Sequence, residues 1–448
     1  MEIKLDKQYL KELRLNIQQK NNIQIEQDIK ELHWADIAEI LDALNFHDAK
    51  YVFQLLDEEV ASNILTELEE DIRERLLSEL SSKEIADRYI ENLDSDDAAD
   101  LLGELSETKK DEVLSHIEDM DQAIDIVDLL SYDEETAGGL MAKEYIRVNK
   151  NWTVLQCIRE MRKQAEDVDY VYSIYVVDDN DVLCGVLSLK TLLFANERST
   201  ITGLFNDKVI SVKTNADQEE VVNIMKKYDL VALPVVDDIS RLVGRITIDD
   251  AVDVLRDEAD KDYQMASGIS EDVESDDSVF ILTRARLPWL LVGMIGGILG
   301  AVVMDYFGIE ENVELALFAP LIAAMGGNVG VQSAAIIVQG LAGNNLGHQT
   351  MFQRLKKETL VALINGFVCA VIVFFISFPL SNDWNFSKVL GLSLISVVIF
   401  AALFGTIVPL SLNRFKIDPA LATGPFITTA NDIFGLCIYF SLAKWLLT

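Results

Sequence analysis

The stretch PWLLVGMIGGILGAVVMDYF, residues 288–307, is the first of five long apolar runs that decide the fold of this 448-residue chain. A helix needs about 20 mostly apolar residues to cross the hydrocarbon core of a membrane, and each run is close to that length. Core helices of a soluble protein are the alternative, but five consecutive runs favour a membrane-embedded region. The runs cover 288–307, 313–338, 360–380, 389–412 and 420–447.

The charges between the runs predict the orientation in the membrane. Basic residues precede the first run and separate the second from the third and the fourth from the fifth, whereas the other connections are not basic. Because basic loops stay on the cytosolic side, this alternation predicts a multi-pass plasma-membrane protein with a cytosolic N-terminus and an external C-terminus. The polar first 30 residues contain no signal peptide, in agreement. The basic residues are Arg284, Arg286, Arg354, Lys356, Lys357, Arg414 and Lys416.

The region before the apolar runs is strongly acidic. Residues 1–280 hold 66 of the 74 acidic residues and 29 of the 38 basic ones. Such a charge repels nucleic acid and is compatible with divalent cations, although acidic surfaces often serve solubility alone. The four cysteines have no CxxC spacing, so neither a zinc site nor a disulfide framework is indicated.

Two carboxylates lie in or beside the last apolar run. Asp432 stands within TTANDIFGLCIYF, where an ionised carboxylate costs roughly 2.5–3.5 kcal/mol on insertion scales. Since no buried Lys or Arg is available within the apolar runs to pair with it, cation binding in a pore is favoured over a salt bridge. Asp418 precedes Pro419 at the cytosolic end, where a pore mouth and a helix N-cap are equally good interpretations.

Glycine and proline interrupt two of the runs. The second contains MGGNVG at 325–330, and the fifth contains Gly424 and Pro425. These residues predict broken helices whose free carbonyls face a water-lined cavity, with close helix packing as an equal alternative. Asn328 would add a neutral side-chain oxygen at the break.

An internal repeat with an offset of 59 residues lies before the membrane region. YSIYVVDDNDVLCGVLSLKTLL, from Tyr172, matches DLVALPVVDDISRLVGRITIDDAVDVL, from Asp229. The period suits a small α/β module used twice. The pair, residues 139–259, resembles tandem CBS domains. Such domains hold a nucleotide with a G-x-x-[ST]-x-x-D stretch, which here is Gly244, Thr247 and Asp250; the first copy has Thr191 instead of the acid.

Residues 32–130 read as short amphipathic helices with leucine spaced three and four apart. Ser95 is predicted to cap one helix, with Asp96 in its first turn. Asp96 and Asp100 would share a helix face and repel each other, and a bound cation would relieve that repulsion.

Together these parts resemble an MgtE-type magnesium transporter. The motifs are TAGGLM (136–141), the CBS pair, PWLLVG (288–293), APLIAAMGGNVGVQS (319–333) and DPALATGPFITTANDIFG (418–435). The resemblance implies a multi-domain fold: an all-α helical N-terminal domain, an α/β tandem CBS pair, a long connecting helix and a five-span α-helical transmembrane domain. We expect these at 1–138, 139–255 (139–200 and 201–255), 256–285 and 286–448.

The resemblance also implies a function and a set of sites. It implies a homodimer in the lipid bilayer, one magnesium pore between two subunits, and a gate that cytosolic Mg²⁺ closes. Lys261 stands where the family tends to place an acid, and an acid from Asp57–Glu59 is a further candidate ligand. The implied pore ligands are Asp432, Asp418 and Asn328, and the implied sensor ligands are Asp96, Asp100, Gly138, Glu219, Lys226, Asp229, Asp250, Asp253, Glu258 and Asp262.

Two alternatives remain open on the sequence. One is a broader divalent channel that admits Co²⁺, Ni²⁺ or Ca²⁺. The other is a membrane-anchored sensor that binds ATP or another adenine nucleotide and transports nothing. An enzyme is not indicated, because the chain has no Walker-type glycine loop and no nucleophile–base set with usable spacing.

Overall fold

A computed structural model of the chain describes residues 7–30, 32–165, 168, 170–271, 273, 277–308, 313–342, 350–422 and 424–447. These residues divide into two units, Met1–Leu255 and Arg256–Thr448.

Short amphipathic helices form the first part of the N-terminal unit, as the leucine spacing predicts. Side-chain caps start several of them: Asn45 accepts the amide of Asp48, and Ser81 and Glu84 form a reciprocal capping box. The helices are α1 (Lys7–Gln18), α2 (Asn22–Ile29), α3 (Trp34–Asp42), α4 (Phe46–Phe53), α5 (Glu58–Glu67), α6 (Glu70–Glu79), α7 (Ser82–Arg88), α8 (Ser95–Gly103), α9 (Glu107–Leu114) and α10 (Met120–Leu129).

The predicted cap at Ser95 is wrong. Asp94 occupies the N-cap position of α8, and Ser95 is already the first helical residue. The Ser95 hydroxyl instead donates to the carboxylate of Glu144 at 2.9 Å and accepts the backbone amide of Lys143. A tertiary contact with a residue 49 positions away therefore takes the hydroxyl that local sequence assigns to the helix start.

Two copies of one α/β module follow, and the internal repeat is confirmed. Each copy forms a three-stranded sheet whose first two strands are parallel and whose last two are antiparallel. The first copy has β1 (Ile146–Asn149), α11 (Val154–Gln164), β2 (Ile174–Val177), β3 (Leu183–Leu187) and α12 (Leu189–Phe194). The second has β4 (Val212–Lys213), α13 (Gln218–Tyr228), β5 (Ala232–Val236) and β6 (Leu242–Thr247).

Equivalent aspartates build the same turn in both copies. Asp178 accepts the backbone amides of Asn180 and Val182, and Asp237 accepts those of Ile239 and Arg241. The repeated VVDD therefore marks a structural turn between strands.

One hydrophobic core is shared by the N-terminal helices and the second α/β module. Leu41 and Leu102 belong to the same buried cluster as Val235 and Ile246 of the second module. The first module has a separate core around Val176. The second module is thus packed with the N-terminal helices, which brings acidic residues from both together.

The acidic helix after β6 is shorter than predicted. α14 spans Ile248–Ala266, whereas the predicted connecting helix runs over 256–285, of which residues 272 and 274–276 lie outside the described part. The chain leaves the helix at Gly268, with φ +82°, in a Schellman arrangement: the amides of Gly268 and Ile269 donate to the carbonyls of Met265 and Gln264. Glycine at this position ends the helix because other residues avoid the left-handed region.

The second unit contains five helices that are long and apolar enough to cross a membrane, as predicted. The helix Trp384–Arg414 has half of its most apolar window buried within the chain, against 6% for the helix Val279–Tyr306. The helices are α15 (Val279–Tyr306), α16 (Val313–Ala342), α17 (Met351–Ser381), α18 (Trp384–Arg414) and α19 (Pro425–Leu447).

The predicted break in the second span is wrong, and the one in the fifth is confirmed. α16 runs without interruption through 325–330, and the buried glycines of this stretch lie against α18 and α19. Its glycines serve close packing instead: a Cβ on Gly405 of α18 would collide with the carbonyl oxygen of Gly330. α19 starts at Pro425, directly after Gly424 with φ +56° and a 3-10 turn at Pro419–Ala422.

Candidate functional site

Asp432 lies on α19 and faces α16. A Cβ placed on Gly327 would lie 3.5 Å from Oδ1 of Asp432 and 3.1 Å from Cγ2 of Thr428, so glycine gives the carboxylate room beside the helix. Within the described part of the membrane unit, no Lys or Arg forms an ion pair with Asp432. A carboxylate at this depth without a basic partner needs water or a cation.

Asn328 is exposed on α16 next to Gly327. Because α16 is unbroken, its backbone carbonyls there stay in the helix, and Asn328 offers only its side chain. Asn328 and the half-buried Asp432 both reach the surface of a single chain.

Asp418 combines the two roles that the sequence leaves open. Its Oδ1 accepts the amide of Ala420 at 2.8 Å and so caps the 3-10 turn before α19. Asp418 is also close to Asp262: burial, then the negative charges of Asp418 and Glu258, raise the pKa of Asp262. Lys261 opposes this shift and lies 3.6 Å from a carboxylate oxygen of Glu258. Three implied ligands, Asp418, Asp262 and Glu258, therefore lie near one another, and Lys261 lies beside Glu258 and Asp262.

A second acidic cluster forms where α8 meets the start of α14 in the N-terminal unit. Asp250 lies near both Asp96 and Asp100. Asp96 and Asp100 are the two residues that the sequence predicts to share one face of a helix and to repel each other. Asp97 joins them from the same turn of α8. The predicted ligands Asp96, Asp100 and Asp250 are thus brought together.

The protonation of this cluster reflects its crowding. Exclusion of water, then the charges of Asp97 and Asp250, raise the pKa of Asp96 well above its usual value. The same causes raise the pKa of Asp97 to about 7 and that of Asp100 to about 6, with Asp94 and Glu134 as the main charged neighbours. A divalent cation would remove this cost by neutralising the carboxylates.

Glu144 enters the cluster from the segment before β1. Its side chain accepts the amide and the hydroxyl of Ser95 at 3.1 and 2.9 Å. Oxygen atoms of Asp94, Asp96 and Glu144 all lie within 4.8 Å of one another, a spacing that suits a hard cation.

Most of the remaining predicted sensor ligands lie on or just beside α13. Glu219 is at the first turn of α13, while Lys226 and Asp229 are at its other end, about 15 Å away at 1.5 Å per residue. Gly138 donates its amide to Thr214, just before α13, and so lies toward the Glu219 end. Asp253 is exposed on α14. One ion cannot bind both ends of α13.

The predicted nucleotide stretch has a local structure of its own. Asp250 accepts both the amide and the hydroxyl of Thr247, at 2.8 and 2.7 Å. A Cβ on Gly244 would lie 2.5 Å from Sδ of Met141, so packing alone requires glycine there.

Three further side chains surround this stretch. Arg245 is 6% exposed, donates from Nη1 to the carbonyl of Tyr170, and lies 5.5 Å from the ring centroid of Tyr172. The two tyrosine rings are 6.0 Å apart, and Tyr170 is 66% exposed. An exposed aromatic ring, a buried guanidinium and an Asp–Thr pair together suit a nucleotide base, phosphate and ribose.

Sequence reasoning missed several of these residues. Asp94 and Asp97 flank Ser95 and Asp96 in the stretch DSDDAAD (94–100), so the sequence offered them as candidates. Glu144, Tyr170 and Arg245 carry no local signal, because tertiary packing alone brings them to the sites.

Comparison with known proteins covers most of the chain. Residues 319–442 match a family described as "Divalent cation transporter", residues 32–135 the MgtE intracellular N domain, and residues 137–198 and 201–257 the CBS domain. The magnesium transporter MgtE of Thermus thermophilus is 38% identical over 327 residues, 71% of this chain and 72% of that protein. The chain belongs to the MgtE family of magnesium transporters.

Other MgtE proteins give the same result. The magnesium transporter MgtE of Bacillus subtilis is 33% identical over 317 residues, 70% of each chain. A crystal structure described as the cytosolic domain of the Mg²⁺ channel MgtE in complex with ATP is 33% identical, with a TM-score of 0.51, and covers 55% of this chain and 99% of that one. The predicted family and fold class are therefore confirmed, and the chain is a multi-pass membrane protein of a transporter family.

The raised pKa values predict how pH affects stability. Because folding raises the pKa of Asp97 to about 7 and that of Asp100 to about 6, their stabilising contribution is present at low pH and is lost as pH rises through these values. In calorimetry of the full chain with EDTA, the transition of the N-terminal unit should fall by at least about 2 °C between pH 5.5 and 8. An Asp97→Asn, Asp100→Asn variant should lose most of that difference; an equal slope in the variant would contradict the assignment.

Proposed function

We propose that this protein carries Mg²⁺ across the membrane through a pore between two copies of the chain, with one Asp432 from each copy in the ion path. The observation that carries the proposal is a carboxylate on a long apolar helix, facing a glycine and without a basic partner among the described residues. Water and a cation are the remaining partners that make such a position stable.

Mg²⁺ fits this environment because it holds its water tightly and usually binds proteins through one or two carboxylates. Asp432 would contact the hydrated ion, and the Asn328 amide oxygen would accept hydrogen bonds from its water. Asp418, with Asp262 and Glu258, would concentrate ions at the inner end.

A second copy explains the exposure of these groups. Asn328 is exposed and Asp432 is half-buried in one chain, so one chain alone does not enclose a path around them. α15 buries only 6% of its most apolar window, which leaves apolar surface for a partner or for lipid.

The acidic cluster of the N-terminal unit supports a magnesium-operated gate. This unit would lie in the cytosol, as the basic loops favour. When Mg²⁺ is scarce, Asp96, Asp100 and Asp250 would repel one another and favour a separated, conducting arrangement. When Mg²⁺ is abundant, bound ions would bridge these carboxylates and favour the closed one. Glu219, Asp229 and Asp253 would bind further ions.

The first test replaces the carboxylate of the ion path. Asp432→Asn should lower Mg²⁺ flux into proteoliposomes by at least about tenfold, a loss of about 1.4 kcal/mol of ion stabilisation. The matched control is Asp305→Asn, at an exposed aspartate near the end of α15, which should keep the wild-type rate.

Two measurements on the same samples sharpen this test. Native mass spectrometry should show two copies per particle, and a monomer that still carries flux would contradict the shared pore. Competition by Co²⁺, Ni²⁺ and Ca²⁺ distinguishes a magnesium-selective path from the broader divalent transport that the family description favours. Wild-type flux in Asp432→Asn would refute the pore assignment.

The gate is tested by neutralising the cluster without deleting the domain. Asp96→Asn with Asp100→Asn should raise the bath Mg²⁺ concentration that half-closes the channel by about fivefold or more, since each carboxylate contributes to ion bridging. The control is Asp111→Asn on α9, an exposed aspartate outside the cluster. An unchanged half-closing concentration in the double variant would place the gate elsewhere.

We also propose that the second CBS module binds an adenine nucleotide beside Thr247. Asp250 would accept the ribose hydroxyls, Arg245 would face phosphate, and the exposed Tyr170 ring would stack on the base. The crystallised MgtE relative with ATP supports this choice of ligand. The first module lacks the equivalent acid, because Thr191 stands there.

Removing the aromatic ring tests the nucleotide site. Tyr170→Ala should weaken ATP binding to the full-length protein by about tenfold or more, because base stacking on an aromatic ring contributes about 1–3 kcal/mol. Tyr228→Ala, which removes another exposed ring at the end of α13, should leave binding unchanged. Equal titration curves for both variants in calorimetry would remove Tyr170 from the site.

A further inference from the structure

Asn431 is a buried polar side chain whose amide is unpaired. It is 1% exposed, and neither Nδ2 nor Oδ1 finds a hydrogen-bond partner within the described part of the chain. Leaving a buried polar group unpaired costs about 1–3 kcal/mol, so such a group in a folded protein needs a reason. The proposed function uses Asp432 and leaves Asn431 unexplained.

The Asn431 carboxamide fills a notch in α16. A Cβ on Gly330 would fall on Nδ2 of Asn431, 3.1 Å from its Cγ, and 2.8 Å from Cγ2 of Ile427. On the other side, Gly405 of α18 approaches the Gly330 carbonyl closely. Three helices therefore meet at Gly330, and the flat carboxamide occupies the one space that the missing side chain leaves.

A neighbouring notch receives the face that carries Asp432. Gly327, almost one turn before Gly330 on α16, lies against Thr428 and Asp432. Residues 431 and 432 point about 100° apart around α19, because an α-helix has 3.6 residues per turn. A rotation of α19 that moves Asn431 out of its notch must also turn Asp432 away from Gly327.

We propose that Asn431 is a positioning residue for ion transport: seated against Gly330, its carboxamide fixes the rotation of α19 and so keeps Asp432 turned toward Gly327. This inference rests on the proposed role of Asp432 in the ion path. A flat side chain fits beside the Gly330 backbone where a branched apolar one of similar length is too thick, which explains an amide that forms no hydrogen bond.

A double-mutant cycle on Mg²⁺ flux tests the contact between Asn431 and Gly330. Asn431→Ala empties the notch and Gly330→Ala fills it against Asn431, so each should lower kcat about tenfold and raise KM for Mg²⁺ about threefold. In the double variant the methyl group introduced at position 330 occupies space that the shortened residue 431 vacates, so its flux should exceed that of Gly330→Ala by about fivefold. The control is Gly293→Ala on α15, where a Cβ meets no described atom within 4 Å.

Several outcomes would overturn the inference. Wild-type kcat and KM in either single variant would do so, as would single effects that simply multiply in the double variant. If Gly330→Ala does not fold, Asn431→Leu replaces it. The bulkier side chain should lower kcat at least as much as Asn431→Ala does. Wild-type transport by Asn431→Leu would reject the positioning role of Asn431. The ratio of Mg²⁺ to Co²⁺ flux should change in each impaired variant, which a general loss of packing would leave constant.

Asp432→Asn, measured alongside, distinguishes this inference from the proposed function. Retained flux in Asp432→Asn removes the ion-path assignment whatever the cycle gives. Lost flux in Asp432→Asn together with normal transport by the Asn431 and Gly330 variants removes the positioning role alone.

Discussion

An ionised carboxyl group within the hydrocarbon core must be compensated by water, a cation or a basic side chain, and Asp432 has none of the last among the described residues. The membrane helices are arranged around that requirement. α16 presents Gly327 where Asp432 needs room and Gly330 where Asn431 packs, and in our proposal the second contact fixes how far α19 rotates. The unpaired amide and the uncompensated carboxylate stand side by side on one helix. Both are costs that a purely structural helix would avoid, and both become intelligible when the helix lines an ion path.

The N-terminal unit also brings carboxyl groups together at a cost in free energy. Asp96, Asp97, Asp100 and Asp250 lie close together, and burial, followed by the charges of neighbouring carboxylates, raises the pKa of Asp97 to about 7 and that of Asp100 to about 6. A divalent cation that neutralises these carboxylates would remove their repulsion, and in the proposed gate the cluster would thereby convert Mg²⁺ concentration into a preference for one arrangement. Asp250 also holds Thr247, at the proposed nucleotide site, so a ligand at either place changes the charge environment of the other.

The sequence predicted the parts that depend on local pattern. Apolar length identified the five spans, and the offset of 59 residues identified the two α/β modules. The pairing of Asp96 with Asp100 followed from helix spacing. Local pattern failed where tertiary contact decides: Ser95 bonds Glu144 instead of capping α8, and Glu144 and Arg245 reach their sites only through packing. The end of α14 was also missed, although Gly268 stands two residues beyond it as a signal for a helix C-terminus.

The glycines of the membrane unit show why the predicted break in α16 was wrong and its alternative right. In water, a run such as MGGNVG favours a break, because the freed backbone groups bond to solvent. In α16 the same run keeps its helix, and neighbouring helices cover its glycines. The absence of side chains at these glycines instead allows neighbouring helices to pack closely. The backbone of α18 at Gly405 approaches Gly330, and Asn431 and Asp432 of α19 lie against Gly330 and Gly327. At Gly424 the result is the opposite, because φ +56° directly before Pro425 cannot continue a helix. The same residue type therefore joins three helices at one point and starts the last one at another, and the difference lies in whether the glycine keeps helical dihedral angles against neighbouring helices or takes a positive φ before a proline.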